Sequence, residues 1–155
     1  MEYITKKEID LAALLRKSHC PSAGAVVLFS GEVRNHNAGK AVSYLEYEAH
    51  ASMAAKMIAE ILLAARNRWA LSIAHAQHRI GKVKITESAV VVITASVHRG
   101  AAYASNRYII DRIKHEVPIW KCEYLADGSK EWGGNCNCEK DTGDVNKHIY
   151  EFEAL

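Results

Sequence analysis

The chain lacks most of the features that would assign it a chemistry at sight. It has no Gly-rich phosphate loop, no nucleophile elbow, no H-E-x-x-H pair and no EF-hand loop. P-loop nucleotide hydrolysis, α/β-hydrolase chemistry, zincin proteolysis and EF-hand calcium binding therefore drop out. No apolar run is long enough to span a bilayer. The start, MEYITKKEID, has no apolar signal core, so a cytoplasmic protein is expected. The net charge is only +2 over 155 residues. So small a basic excess argues against a dedicated nucleic-acid binder, although it leaves room for a local basic pocket. There is no C-x-x-C among the four cysteines, Cys20, Cys122, Cys136 and Cys138. In a reducing compartment they read as free thiols. Cys136-Asn137-Cys138 reads as part of a thiol-bearing tail rather than as a soft-metal site completed by Cys122 and a histidine, and no metal is expected. Internal repeats and low-complexity tracts are absent too.

What is present is one ordinary globular unit: 49% apolar and 25% charged residues give enough core for one domain and too little chain for two. Thr5-Lys6-Lys7-Glu8 fits a capping box and starts a first helix from about Lys6 to Lys17. Ala25 to Arg34 reads as a strand, with Gly31 marking a bulge or a close approach. Val42 to Ala49 reads as a second strand, with Leu45, Tyr47 and Ala49 on one face. The two are expected to pair as a hairpin with an extended tip, Asn35 to Lys40. Ser52 is the expected cap of a long helix to about Trp69, its apolar stripe including Met53, Met57, Ile58, Ile61 and Leu62. Leu71 to Ile80 and Val83 to Thr86 add weaker strands. Ser88 to Val97 is the most apolar strand and is expected at the centre. A third helix spans about Ala101 to Glu116, with Tyr103, Ile109, Ile110, Ile113 and Val117 inward, and Pro118 ends it. Ile119 to Leu125 alternates, and Asp127-Gly128 turns it into Lys130-Glu131-Trp132. The order predicts an α+β domain, residues 1–132, with a mixed, mainly antiparallel sheet and three principal helices. Residues 133–155 read as a polar, mobile tail.

His98 to Lys121 hangs four potentially cationic side chains, His98, Arg99, Lys114 and Lys121, on a strand–helix–strand unit. His98-Arg99 opens the third helix, where unpaired N–H groups and the dipole favour an anion. Spacing alone favours the plainer alternative, an arginine covering a helix end with His98 in the core. Lys114, in the last turn of that helix, suits its C-terminal dipole, and Arg107, Asp111 and Lys114 share a face that suits an intrahelical ion pair. Lys121 reads equally as a desolvated acid/base lysine or as an edge-strand charge. Arg34 ends the first strand beside a polar loop whose asparagines read as turn chemistry.

Taken in order, GAVVLFSGEVRNHN (Gly24–Asn37), ARNRW (Ala65–Trp69), HRIG (His78–Gly81), VHRGAAY (Val97–Tyr103) and IKHEVPIWK (Ile113–Lys121) resemble the large, catalytic subunits of molybdopterin synthase. The resemblance runs from about Gly24 to Trp132. It implies an α/β-hammerhead-like fold and a sulfurtransferase that needs no cofactor. Such an enzyme converts cyclic pyranopterin monophosphate into molybdopterin, with sulfur from the C-terminal Gly-Gly thiocarboxylate of a small ubiquitin-like subunit. The large subunits form a homodimer at the centre of a heterotetramer, with no nucleic acid or membrane partner. It implies substrate contacts from Glu32, Val33, Arg34, His98, Arg99, Lys114, Lys121, Cys122 and Glu123, with Lys114 and Lys121 in catalytic roles. Glu32 departs from a basic residue carried by some members, and Cys122 reads as a bystander. The alternative function is a scaffold that binds the ubiquitin-like partner without turnover.

Overall fold

The computed structural model describes residues 2–133. Among them the strands form two sheets. The first has the order β1 (Ile4–Thr5), β5 (Leu71–Arg79), β7 (Ser88–Ser96), β2 (Ala25–Glu32), with β1 parallel to β5 and the other pairs antiparallel. The second runs β3 (His36–Asn37), β4 (Lys40–Ala49), β8 (Ile119–Leu125), β9 (Lys130–Gly133), with β6 (Gly81–Lys84) also paired to β4. The helices are α1 (Leu11–Arg16), α2 (Ala51–Arg68) and α3 (Arg99–Glu116). This is the mixed, mainly antiparallel α+β arrangement with three helices that the sequence predicts.

Strand β7 explains how the fold is assembled. All nine of its residues are buried. Val90 and Val92 point into the core built with α2 and α3. Val91 and Ile93 point the other way, against Ile9 and the flank of α1. A strand covered on both faces has no solvent side to encode, which is why it reads as a continuous apolar run. Buried polar groups then pin α3 to the sheet. Asn106 Nδ2 donates to the carbonyls of Val27 and Val92, each at 3.1 Å. Thr94 Oγ1 donates to the Ala102 carbonyl at 2.7 Å.

Several local expectations change. The expected hairpin of the strands around Ala25–Arg34 and Val42–Ala49 does not form: β2 pairs with β7 and β4 with β8 and β6. Alternation specifies a face, not a partner. The register slips at Gly31/Glu32, and Val33 then carries the chain from one sheet to the other, its N–H donating to the Glu87 carbonyl at 3.1 Å. Gly31 is required on both grounds anticipated, since a Cβ there would lie 2.7 Å from Val90 Cγ1. The capping box at Thr5 is not used. Thr5 is drawn into β1 opposite Arg79, and Asp10 caps the shorter α1 by accepting from Ala13 N–H at 2.8 Å. His50, not Ser52, caps α2, its Nδ1 accepting from Met53 N–H. Met53 and Tyr103, expected inward, are 52% and 64% exposed. In each first turn the buried position is the neighbouring alanine instead, Ala54 and Ala102, both fully buried, which leaves Met53 and Tyr103 off the inward stripe. The Asp127-Gly128 hairpin forms as expected, with Gly128 at φ +87°. The expected mobile tail and the Cys136/Cys138 pair lie outside the described residues, apart from Gly133.

Candidate active site

Where the second sheet meets the end of α3 there is a cleft of about 250 Å3. Its composition follows from register. In the β4–β8 ladder Leu45 stands opposite Glu123 and Tyr47 opposite Lys121. The period of two therefore turns those four side chains to one face. The last turn of α3 adds Lys114 to that face, and the segment after the β2 bulge adds Glu32, Arg34, His36 and Asn37.

The polar groups form one connected chain. Arg34 Nη2 donates to Asn37 Oδ1 at 2.9 Å. Asn37 Nδ2 lies 2.9 Å from each oxygen of Glu123. Lys121 Nζ donates to Glu123 Oε1 at 2.8 Å. Glu123 is only 6% exposed. Burial works against its charge, but the bonds from Lys121 and Asn37, with the charges of Lys121 and Arg34, hold its carboxyl below the usual 4.5. Glu32 sits exposed at the rim, accepting from Ser30 Oγ at 3.3 Å.

Lys114 differs from every other cation of the cleft. Among the described residues it has no ion pair and no hydrogen bond to a side chain; the intrahelical pair forms between Arg107 and Asp111 instead, at 2.7 Å. Lys114 is half-buried, and desolvation, reinforced by the charge of Lys121, lowers its pKa from 10.5. His78 lies below it. Its Nδ1 donates to the Arg79 carbonyl at 2.8 Å, and its ring meets Tyr47 edge-on at 5.0 Å. Burial first, and then the Lys114 charge, push His78 down to about 3, so the imidazole stays neutral. Burial, with Glu123 adding to it, raises Tyr47 to about 12. The cleft thus sets three cations against two carboxylates, and one of the cations, Lys114, has no ion-pair partner among the described residues and a lowered pKa.

Of the residues singled out from sequence, Arg34, Glu32, Lys114, Lys121 and Glu123 come together here. Val33 and Cys122 do not: Val33 is in the hydrophobic core, and Cys122 is buried on the opposite face of β8, where desolvation raises its thiol pKa. His98 and Arg99 are exposed at the other end of α3. Arg99 and Lys114 are fifteen positions apart on that helix, about 22 Å at 1.5 Å of rise per residue. Sequence reasoning missed Asn37, Tyr47 and His78 as members of the site. Alternation had placed Tyr47 with Leu45, but nothing in it said that β8 lies alongside.

The model of the MoaE protein family matches residues 4–116. The chain belongs to the MoaE family. Among its relatives, the molybdopterin synthase catalytic subunit of Thermoplasma volcanium is 43% identical over 129 residues, covering 83% of this chain and 94% of that one. The catalytic subunit of Bacillus subtilis is 43% identical over 132 residues, covering 85% and 83%. In structure, the chain is similar to molybdopterin synthase from Staphylococcus aureus, with a TM-score of 0.80 and 39% identity over 85% of this chain and 96% of that one. It also shares its fold with a chain of the complex of subunits 1 and 2 of molybdopterin-converting factor from Helicobacter pylori, with a TM-score of 0.70 at 19% identity. As a MoaE protein it carries the cleft cations on blocks that lie within or next to the matched span.

Proposed function

We propose that the protein is a molybdopterin synthase catalytic subunit, a cytoplasmic sulfurtransferase built around a single catalytic domain of residues 1–132. It converts cyclic pyranopterin monophosphate into molybdopterin, and a small ubiquitin-like subunit ending in Gly-Gly thiocarboxylate supplies each sulfur. The observation that carries this reading is Lys114, a partly desolvated cation with no ion pair among the described residues, beside the Arg34–Asn37–Glu123–Lys121 chain in a member of this family. Both ligands are anions, a cyclic phosphate and a thiocarboxylate, and both suit such a cleft.

Each residue's part follows from its partners. Arg34 keeps most of its N–H donors free for the phosphate. Lys121, tied to Glu123, is held in place as a fixed positive charge. Transfer requires the thiocarboxylate sulfur to bond to a pterin side-chain carbon as that carbon's bond to oxygen breaks, the oxygen leaving with the opened phosphate or as water. Water then attacks the acyl carbon, the acyl–sulfur bond breaks, the sulfur stays on the pterin as a thiolate and the tail departs as a carboxylate. Negative charge develops on the acyl oxygen in that second step, and the Lys114 ammonium is suited to stabilise it. Because its pKa is lowered, Lys114 also exchanges a proton with the reacting groups more readily than an ordinary lysine.

His98 and Arg99 then require a second copy of the chain. A single chain holds them about 22 Å from Lys114 by helix rise. Exposed Val97 and Tyr103 flank them, an apolar margin that suits contact with another protomer. In a homodimer, with a small subunit docked at each end, the pair from one protomer completes the cleft of the other. The test is reconstitution of purified protein with thiocarboxylated small subunit and cyclic pyranopterin monophosphate. Dithiolene product is expected, and complex formation without product would leave only a scaffold.

A further inference from the structure

Asn37 stands between the two cationic halves of the cleft, and its chemistry there is specific. A carboxylate can only accept and a guanidinium can only donate. The amide therefore has a single workable orientation, with Nδ2 toward Glu123 and Oδ1 toward Arg34. Both Glu123 oxygens are engaged by it at 2.9 Å, and Lys121 closes the chain at 2.8 Å. Asn37 also belongs to the two-residue β3, where it pairs with Lys40 of β4, so its backbone is fixed as well.

We infer that Asn37 is a positioning residue that sets the relative placement of Arg34 and Lys121 for an anionic substrate and keeps the Glu123 carboxylate occupied, so that its charge does not oppose that substrate. The inference rests on the reading of this cleft as the pterin phosphate site. No other side chain of that size does both jobs. Aspartate would set a second carboxylate against Glu123 and draw Arg34 into an ion pair. Alanine would leave Arg34 unanchored and Glu123 held by Lys121 alone. Glu123 is faced by Lys121 on its own strand, by Glu131 opposite it on β9, by Arg34 and His36 from the link between β2 and β4, by Lys40 and Tyr47 on β4, and by Lys114 and Glu32 across the cleft.

The test compares wild type, Asn37→Asp and Asn37→Ala in two measurements. In steady-state turnover with cyclic pyranopterin monophosphate, Asn37→Asp should raise KM about tenfold or more while kcat stays within about threefold, with Asn37→Ala between it and wild type. A fall in kcat at unchanged KM overturns the inference. The second measurement does not depend on turnover: the Glu123 side-chain carboxyl is titrated by 13C NMR in the protein without substrate. Wild type should titrate below the ordinary glutamate range, and both variants at higher pH than wild type. An unmoved titration overturns the role of Asn37 even in an active enzyme. A moved titration in a wild type that makes no product overturns the sulfur-transfer reading and leaves the role of Asn37 standing.

Discussion

At the scale of single residues, the two lysines of the cleft differ in surroundings: Lys121 is paired with Glu123, and Lys114 has no ion-pair partner among the described residues. Lys114→Ala should leave folding intact and cut turnover by at least about a hundredfold, roughly the range attributed to a positioned proton-transfer or charge-stabilising group. Lys114→Met should also raise stability at pH 7 by about 0.5–2 kcal/mol, measured by denaturation, since it removes an unpaired cation from a desolvated place. The sign agrees with linkage. The folded pKa of Lys114 lies below 10.5, so between the two values the unfolded chain holds a proton that the folded chain does not, and stability rises with pH across that window. Glu123 behaves in the opposite region. Its folded pKa lies below 4.5, so its contribution is complete above 4.5 and is lost as pH falls through the folded value. Glu123→Gln should therefore lower stability at pH 7 by about 1–3 kcal/mol and flatten the acid limb of stability. Arg34, Lys114 and Lys121 were legible in the sequence as candidates because the ordered blocks carry them, and Glu123 because the resemblance extends past the last block to about Trp132. The pairing of Lys121 and the isolation of Lys114 were not, because both depend on which strand lies beside which.

At the scale of elements, the site depends on how α3 is seated. Its C-terminal turn delivers Lys114, and its middle is tied to the first sheet by Asn106, whose amide bridges carbonyls of β2 and β7. Asn106→Ala should destabilise the protein by about 1–3 kcal/mol, since two buried carbonyl contacts lose their donor. It should also reduce turnover among molecules that remain folded, because Lys114 is no longer held at its depth. Equilibrium denaturation and the specific activity of the folded fraction check the two parts separately. The element types were largely readable: β7 as an apolar run, α2 and α3 as helical stripes, the Asp127-Gly128 turn as a hairpin. Pairings were not. The sequence pattern of β2 and β4 fits a hairpin as well as it fits two separate sheets. What decides is the bulge at Gly31 and the burial available against β7, and both are tertiary facts. The helix starts also escaped, because Thr5 offers a capping hydroxyl but is used as a strand residue.

At the scale of the whole molecule, the cleft of one chain does not include His98 and Arg99. If a second copy supplies them, two inactive variants should complement. Mixed protomers carrying Lys114→Ala and Arg99→Ala form one doubly damaged and one intact site in each mixed dimer. With random assortment, about a quarter of wild-type turnover should return. Turnover no higher than that of the two variants assayed separately would mean that each chain works alone. The family blocks placed both groups in one site, and only the length of α3 shows that one chain cannot unite them. The central claim is that Lys114 is the reacting-centre cation of a sulfurtransferase, and the most direct measurement is product formation in the fully reconstituted system. Wild-type protein, thiocarboxylated small subunit and cyclic pyranopterin monophosphate should yield the dithiolene, and Lys114→Ala under the same conditions should yield almost none. No product from wild type, or a wild-type rate from Lys114→Ala, would contradict the account.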